Sequence, residues 1–374
     1  MVSDRISTTD AAMVPYQSCD CFARDVVLIR DKPWRFKSNG KGRVESIENW
    51  VVNLASAPPR TPAFAFAALL GALLLIFLLV ARTYSVKHSL GPEAAAAIYL
   101  SFGLLLGLAL APAFFSVRFR MMGLLCCAPY VVYGIGTRDF HVLALLRLAA
   151  VPLFLIALYA WRAPKDLNRF CWQDCLAAIL LISVVLSGFL RDIWRIPVNL
   201  DFMSRLFLIG VAAWTWTTVR PVPELGYKLR LSAKILREAA LNFLYFAVIA
   251  IPLSLWLHFT RWNPRFSGLL AFGGNYIQIF IFIALLEELF FRGFLQSLLA
   301  ASWRNWRWAQ LAVSCLFGLF HILHAPFPNW RYVVLASIAG WFYGSAFRKT
   351  GSITASALVH AAVDTTWRIW LSAR

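Results

Sequence analysis

An all-α, polytopic transmembrane helical bundle of about 8–11 spans is the architecture this sequence predicts. Three observations carry the prediction. Of 374 residues, 60% are hydrophobic and only 14% charged, with a mean hydropathy of +0.66, whereas soluble domains carry about 25% charge. The apolar residues are gathered into long runs without strand-like alternation, and lipid admits only helices or closed barrels as spanning structures. The 30 Phe and 16 Trp suit lipid-facing surfaces and the half-wet belts at the membrane interface.

In chain order, residues 1–60 read as a polar cytoplasmic tail, with charge and turn clusters at Arg30-Asp31-Lys32-Pro33 and Lys41-Gly42-Arg43. No apolar core of a cleavable secretion signal is visible in it. The first apolar run, 63–81, is long enough to span and is expected to act as an uncleaved anchor. Further runs lie near 93–115, 121–137, 141–161, 173–190, 200–219, 239–259, 269–299, 309–324, 332–347 and 352–371. Several fall short of the roughly 20 residues of a full span. The run 269–299 is too long for one straight span, and Gly273-Gly274 marks a candidate break or re-entrant entry near its start. Residues 61–238 form an N-terminal membrane region without an assigned role, and 239–374 a C-terminal membrane region that holds the chemistry.

The formal net charge of +18 raises nucleic-acid binding. The basic residues are, however, scattered between apolar runs and not gathered on one module. Lys and Arg in cytoplasmic loops are the simpler cause, and placing the N-terminus inside puts most of them on the cytoplasmic side. The segment 220–237, with Arg220, Lys228, Arg230, Lys234 and Arg237, reads as a cytoplasmic connection between the two regions. The seven cysteines form no zinc pattern or disulfide framework. Cys126, Cys127 and Cys315 act as small hydrophobes inside apolar runs, while Cys19-x-Cys21 and Cys171-x3-Cys175 lack the second half of a metal motif. Neither internal repeats nor low-complexity tracts are visible.

Chemistry concentrates in the C-terminal runs. Glu287 and Glu288 close an apolar stretch and are followed by Arg292. Each charge at membrane depth costs about 2.5–3.5 kcal/mol on insertion scales, so such groups usually mark a functional site. On a helix Glu288 and Arg292, four apart, share a face and pair, whereas Glu287 is turned about 100° away toward another neighbour. One glutamate is then structural and the other chemical. The competing reading, a solvated helix end, needs all three charges at the interface. His321 lies in the next apolar run with His324 behind it. The deeper His321 is the chemical candidate and His324 the interfacial one. His360 and Asp364, again four apart, share a face, and a carboxylate beside an imidazole fixes its orientation.

Glu287-Glu288-x3-Arg292, Phe317-x3-His321 and His360-x3-Asp364 together resemble the ordered motifs of the CPBP (Abi) family of intramembrane endopeptidases, the family of the type II CAAX prenyl proteases. The segment Gly340-Trp341-Phe342-Tyr343-Gly344 through Thr350-Gly351-Ser352-Ile353 is similar to the one that precedes the family's last histidine. The resemblance covers about 239–371. It implies a peptidase in which Glu287 is the general base, His321 helps hold the attacking water, and His360 with residue 364 binds the oxyanion. Glu288 and Arg292 would brace the glutamate helix. Amide hydrolysis needs such a base and such donors on chemical grounds alone. The family often has Asn at the last position. Asp364 can donate there only if protonated, and otherwise it orients His360.

No cofactor is expected. The alternative is zinc, because Glu287, Glu288, His321, His324, His360 and Asp364 are all competent ligands, although His-Glu-x-x-His is absent. The non-enzyme alternatives are a proton-coupled transporter, for which inverted repeats are lacking, or an immunity-type membrane protein on the same scaffold. The expected partners are the lipid bilayer and a membrane-associated peptide or protein substrate, with no nucleic acid. The expected place is a bacterial inner (cytoplasmic) membrane, with the N-terminus and the mouth of the site on the cytoplasmic side.

Overall fold

The computed structural model describes residues 61–116 and 119–373. The expected tail 1–60, with Cys19 and Cys21, lies outside the described residues. The described chain is an all-α polytopic bundle, 74% helical, and every apolar run named above forms a helix. The helices are α1 Thr61–Lys87, α2 Pro92–Leu110, α3 Met122–Thr137, α4 Val142–Trp161, α5 Trp172–Leu186 and α6 Asp201–Val219. They continue as α7 Ala233–Trp256, α8 Leu269–Trp303, α9 Trp306–Leu319, α10 Trp330–Thr350 and α11 Ile353–Trp370. Among the described residues six helices, α1, α2, α4, α6, α7 and α8, are long and apolar enough to cross a membrane, and α3 and α5 are shorter apolar helices. The protein is therefore an integral, multi-pass membrane protein. One antiparallel ribbon, β1 Thr260–Trp262 with β2 Leu371–Ala373, ties the α7–α8 link to the end of α11 in the register Arg261↔Ser372.

The outermost helix, α1, is apolar all round, and none of its most apolar window is buried, as expected for a helix solvated by lipid. It meets α2 where glycine lets the backbones approach: a Cβ at Gly103 would stand 3.2 Å from Leu74. Small residues are the usual means of close helix contact in membranes, where no hydrophobic force drives association.

Local signals fix the C-terminal helices. Ser232 caps α7 by accepting from Ile235 N–H, Asn305 caps α9, Asn329 caps α10 and Ser352 caps α11, each satisfying an orphan amide of a first turn. Gly351, at φ 63°, ends α10 in the left-handed conformation. The tight α10–α11 junction receives the segment after α6: Ile353 N–H donates to Gly226 O at 3.0 Å and Thr354 Oγ1 to Lys228 O at 2.9 Å.

Three expectations are corrected. The helix α8 does not break at Gly273-Gly274. Both glycines lie inside the regular turns Leu269–Ile279, because a broken backbone ladder in lipid would leave polar groups without partners. The irregularity comes later, as wide π-type turns over Phe280–Ala284 and Leu289–Gln296. Such turns frequently occur at functional sites. Helix α9 stops at Leu319 instead of reaching 324, so His321 and His324 lie in a compact turn before Asn329.

The third correction concerns Arg220, expected on an exposed cytoplasmic connection. It is fully buried, with 0% side-chain exposure, and pairs with Asp174, also 0% exposed. Nε and Nη2 donate to Oδ1 and Oδ2 at 3.2 and 3.1 Å, and the remaining donors reach the carbonyls of Leu167, Arg169 and Pro221. Tyr159 Oη donates to Asp174 Oδ1 at 2.9 Å. This clamp joins α4, α5 and the end of α6. Replacing Asp174 by Ala leaves the guanidinium buried and unpaired, an expected loss of about 3–5 kcal/mol. A thermal unfolding midpoint equal to that of the unaltered protein would contradict the clamp.

Candidate active site

The site forms where α6, α9, α10 and α11 surround the middle of α8. Between its two wide turns, α8 presents Glu287 and Glu288 to different neighbours. Glu288 and Arg292 are both 0% exposed and pair one helical turn apart: Nη1 donates to Oε1 at 3.2 Å, and Nε lies 3.1 Å from Oε2. Arg292 also donates from Nη2 to Gly340 O on α10 at 3.0 Å. Its guanidinium lies over the rings of Phe317 and Tyr343, 4.7 and 5.2 Å from their centroids, so aromatic faces cover what hydrogen bonds leave.

Glu288 in turn organises α11. Ser356 Oγ donates to its Oε2, and His360 Nδ1–H donates to its Oε1 at 2.8 Å. The His360 ring stacks on Tyr343 at 4.6 Å with an interplanar angle of 17° and meets the edge of Phe317. One nitrogen of His360 is thus committed and its plane is held by aromatic contact. The other nitrogen, Nε2, lies 3.9 Å from Glu287 Oε2 and 3.5 Å from Asp364 Oδ2. Glu287 and Asp364 keep 36% and 38% of their side chains exposed, in contrast to the sealed Glu288.

The exposed part of Glu287 faces a cavity. Glu287, His321 and His324 line a space of about 380 Å³ together with Leu208 and Trp216 of α6 and Phe290 of α8. His321 Nδ1 donates to Phe317 O at 2.8 Å, which leaves Nε2 as the lone pair of the neutral ring. Its ring packs on Tyr332 at 4.5 Å and near-parallel to His324 at 5.5 Å. His324 is exposed yet lines the same cavity. Glu287, Glu288, Arg292, His360 and Asp364, expected together from the sequence, thus form one contiguous group, with His321 on the same cavity as Glu287. Among the described residues no three His, Cys, Asp or Glu side chains are grouped as a metal ion would require. Cys126, Cys127, Cys171, Cys175 and Cys315 are free.

Sequence reading missed several participants. Ser356 precedes His360 by four residues, the spacing that puts two side chains on one face, so its contact with Glu288 was legible in principle. Tyr343 and Gly340 were noted without a role. A Cβ at Gly340 would stand 3.1 Å from Ser314 Cα and 3.3 Å from Arg292 Nη2. Gly340→Ala is expected to push Arg292 off its carbonyl and lower stability by about 1–3 kcal/mol, the range for overpacking. A variant that retains the unfolding midpoint would show that the approach is not tight.

Fold and site together define a membrane-embedded helical protein in which one of two adjacent glutamates faces a cavity beside an oriented imidazole. Residues 270–366 match the family described as type II CAAX prenyl endopeptidase Rce1-like. The matched segment runs from α8 into α11 and holds Glu287, Glu288, Arg292, His321, His360 and Asp364. No curated protein and no solved structure matches the chain. The resemblance read from the motifs therefore stands for the C-terminal part: it is similar to CAAX-type membrane proteases, which are peptidases.

Proposed function

We propose that the protein is an intramembrane endopeptidase of glutamic type, in which Glu287 deprotonates a water for attack on a peptide bond. The observation that carries the reading is the division of labour between the adjacent glutamates. Glu288 is sealed and fully engaged by Arg292, Ser356 and His360, while Glu287 is open to the cavity and, among the described residues, makes no hydrogen bond, His360 Nε2 standing off at 3.9 Å. That distance is too long for a direct hydrogen bond, so the Glu287 lone pairs remain available to water.

In the proposed step, the Glu287 carboxylate takes a proton from water while the water oxygen bonds to the substrate carbonyl carbon. The proton then passes to the departing amine nitrogen as the C–N bond breaks. His321, with Nδ1–H held by Phe317 O, offers Nε2 as an acceptor that fixes the water. His360, as an imidazolium whose Nδ1–H is held by Glu288 and whose ring is held by Tyr343, donates its Nε2–H to the oxygen that becomes negative, so that little reorganisation is needed. The 3.5 Å separation of Asp364 from His360 Nε2 favours an orienting role over direct oxyanion donation. Asp364→Asn is accordingly expected to lower kcat by about tenfold to a hundredfold, the range for partners that orient an imidazole. His360→Ala should cost more. Equal losses in the two variants would return Asp364 to the oxyanion.

The substrate of this reading is a membrane-embedded peptide, since the glutamate is reached within a bundle of spanning helices. The test is cleavage by the wild-type protein in liposomes of a panel of membrane-anchored peptides, each with EDTA or with added zinc. Chelator-resistant cleavage is expected. Cleavage lost to EDTA and restored by zinc would replace the glutamate mechanism by a metal one, and no cleavage of any peptide would contradict the peptidase reading.

A further inference from the structure

The cavity in front of Glu287 is only half built by the segment that matches the protease family. Its other wall comes from α5, the α5–α6 loop and α6, and that wall carries Arg191, Asp201 and Arg205. Both arginines are exposed, in contrast to the sealed Arg292 and Arg220, which are paired with Glu288 and Asp174. Among the described residues, the side chains of Arg191 and Arg205 make no hydrogen bond and no ion pair within 4 Å, although Glu287 is within electrostatic reach of Arg205. Asp201, one turn before Arg205 on the same face, makes no pair with it, and its Oδ1 is buried without a hydrogen-bond partner.

We propose that Arg205 and Arg191 receive a substrate carboxylate in this cavity, beside the bond attacked by the water that Glu287 activates. The inference rests on the peptidase reading and adds a specificity element supplied by the N-terminal region. Both guanidinia stand exposed on the cavity wall without an ion pair among the described residues, so they are available to an anionic group that enters the cavity. The guanidinium fork binds carboxylates bidentately and so fixes orientation as well as charge. Gly188, at φ +66°, makes room for the second fork: a Cβ there would stand 3.2 Å from Arg191 Cζ. The remaining lining is largely apolar, with Leu208, Phe282 and Phe290. A few placed polar groups in an apolar cavity are the usual basis of ligand orientation. Glu287 would repel a carboxylate seated on its side of the cavity, which favours the arginine wall, and Asp201 on that wall would keep it away from the start of α6. The carboxylate has two possible sources, a chain terminus or an Asp or Glu side chain.

The test uses the full-length Glu287→Gln protein in detergent and reads binding by fluorescence anisotropy, independently of turnover. Peptides are offered in pairs: free C-terminus against C-terminal amide, and Asp against Asn at positions within the membrane-anchored segment. In one of the two series the carboxylate member should bind about tenfold tighter or more, as charge-assisted pairs do. Adding Arg205→Ala should bring that ratio close to one, and Arg205→Lys should keep part of it. Arg191→Ala serves as the second variant if Arg205→Ala does not fold. No preference in either series, a preference that survives removal of the arginines, or no binding of any peptide overturns the inference. Failure of the peptidase reading shows separately, as absence of cleavage by the wild-type protein while the binding ratio persists.

Discussion

Arg292→Met is expected to destabilise the protein by about 3–5 kcal/mol, because it strands the fully buried Glu288 without its cation. That loss takes a large share of a typical stability of about 5–15 kcal/mol, so poor yield and a much lower unfolding midpoint should accompany it. Arg292→Lys should not rescue. A single ammonium cannot reach Glu288 and the Gly340 carbonyl from one fork, nor spread over the Phe317 and Tyr343 rings. Removing both charges, as Glu288→Leu with Arg292→Met, should recover part of the stability, since apolar replacements of a buried pair are often tolerated. It should not recover activity, because His360 then loses the acceptor that holds its Nδ1–H. A stable and active Arg292→Met protein would contradict the brace.

Glu287→Gln should lower cleavage by at least the roughly 10²–10⁴-fold that general base catalysis supplies, with folding little changed. The amide keeps the shape of the carboxylate but cannot take a proton. Glu287 is open to the cavity and makes no short hydrogen bond among the described residues, so no buried partner there is stranded by the change. This separates the two glutamates experimentally: loss at 288 or its partner is read first in stability, and loss at 287 first in turnover. A Glu287→Gln protein that unfolds like Arg292→Met would show that the division of roles is wrong.

Much of the architecture was legible because lipid simplifies the problem. A backbone without water must hydrogen-bond to itself, so each apolar run could only be a helix, and so it is. Pairs within one helix were legible too, since a spacing of four residues fixes a shared face. Glu288 with Arg292 and His360 with Asp364 were read in this way. Pairs between helices were not. The contact of Glu288 with His360 joins positions 72 residues apart, and nothing in the sequence sets the rotation of α8 against α11. Arg220 is the sharper case, a basic residue after an apolar run that reads as loop and is sealed against Asp174, 46 residues away. Arg205 was passed over for the opposite reason. It lies within an apolar run with no acidic neighbour that pairs with it, and only the cavity gives it a role. The end of α9 was misplaced because Phe320 to Leu323 is as apolar as the helix before it. Hydropathy alone does not distinguish an apolar turn from a helical one.

The most direct test compares wild type and Glu287→Gln on one membrane-anchored peptide in liposomes containing EDTA. The two preparations would be matched by unfolding midpoint, and the new chain ends identified by mass spectrometry. The account predicts a single internal cut made by the wild type and lost in the variant. Equal cleavage by both proteins would contradict it, whatever else the remaining residues of the site do.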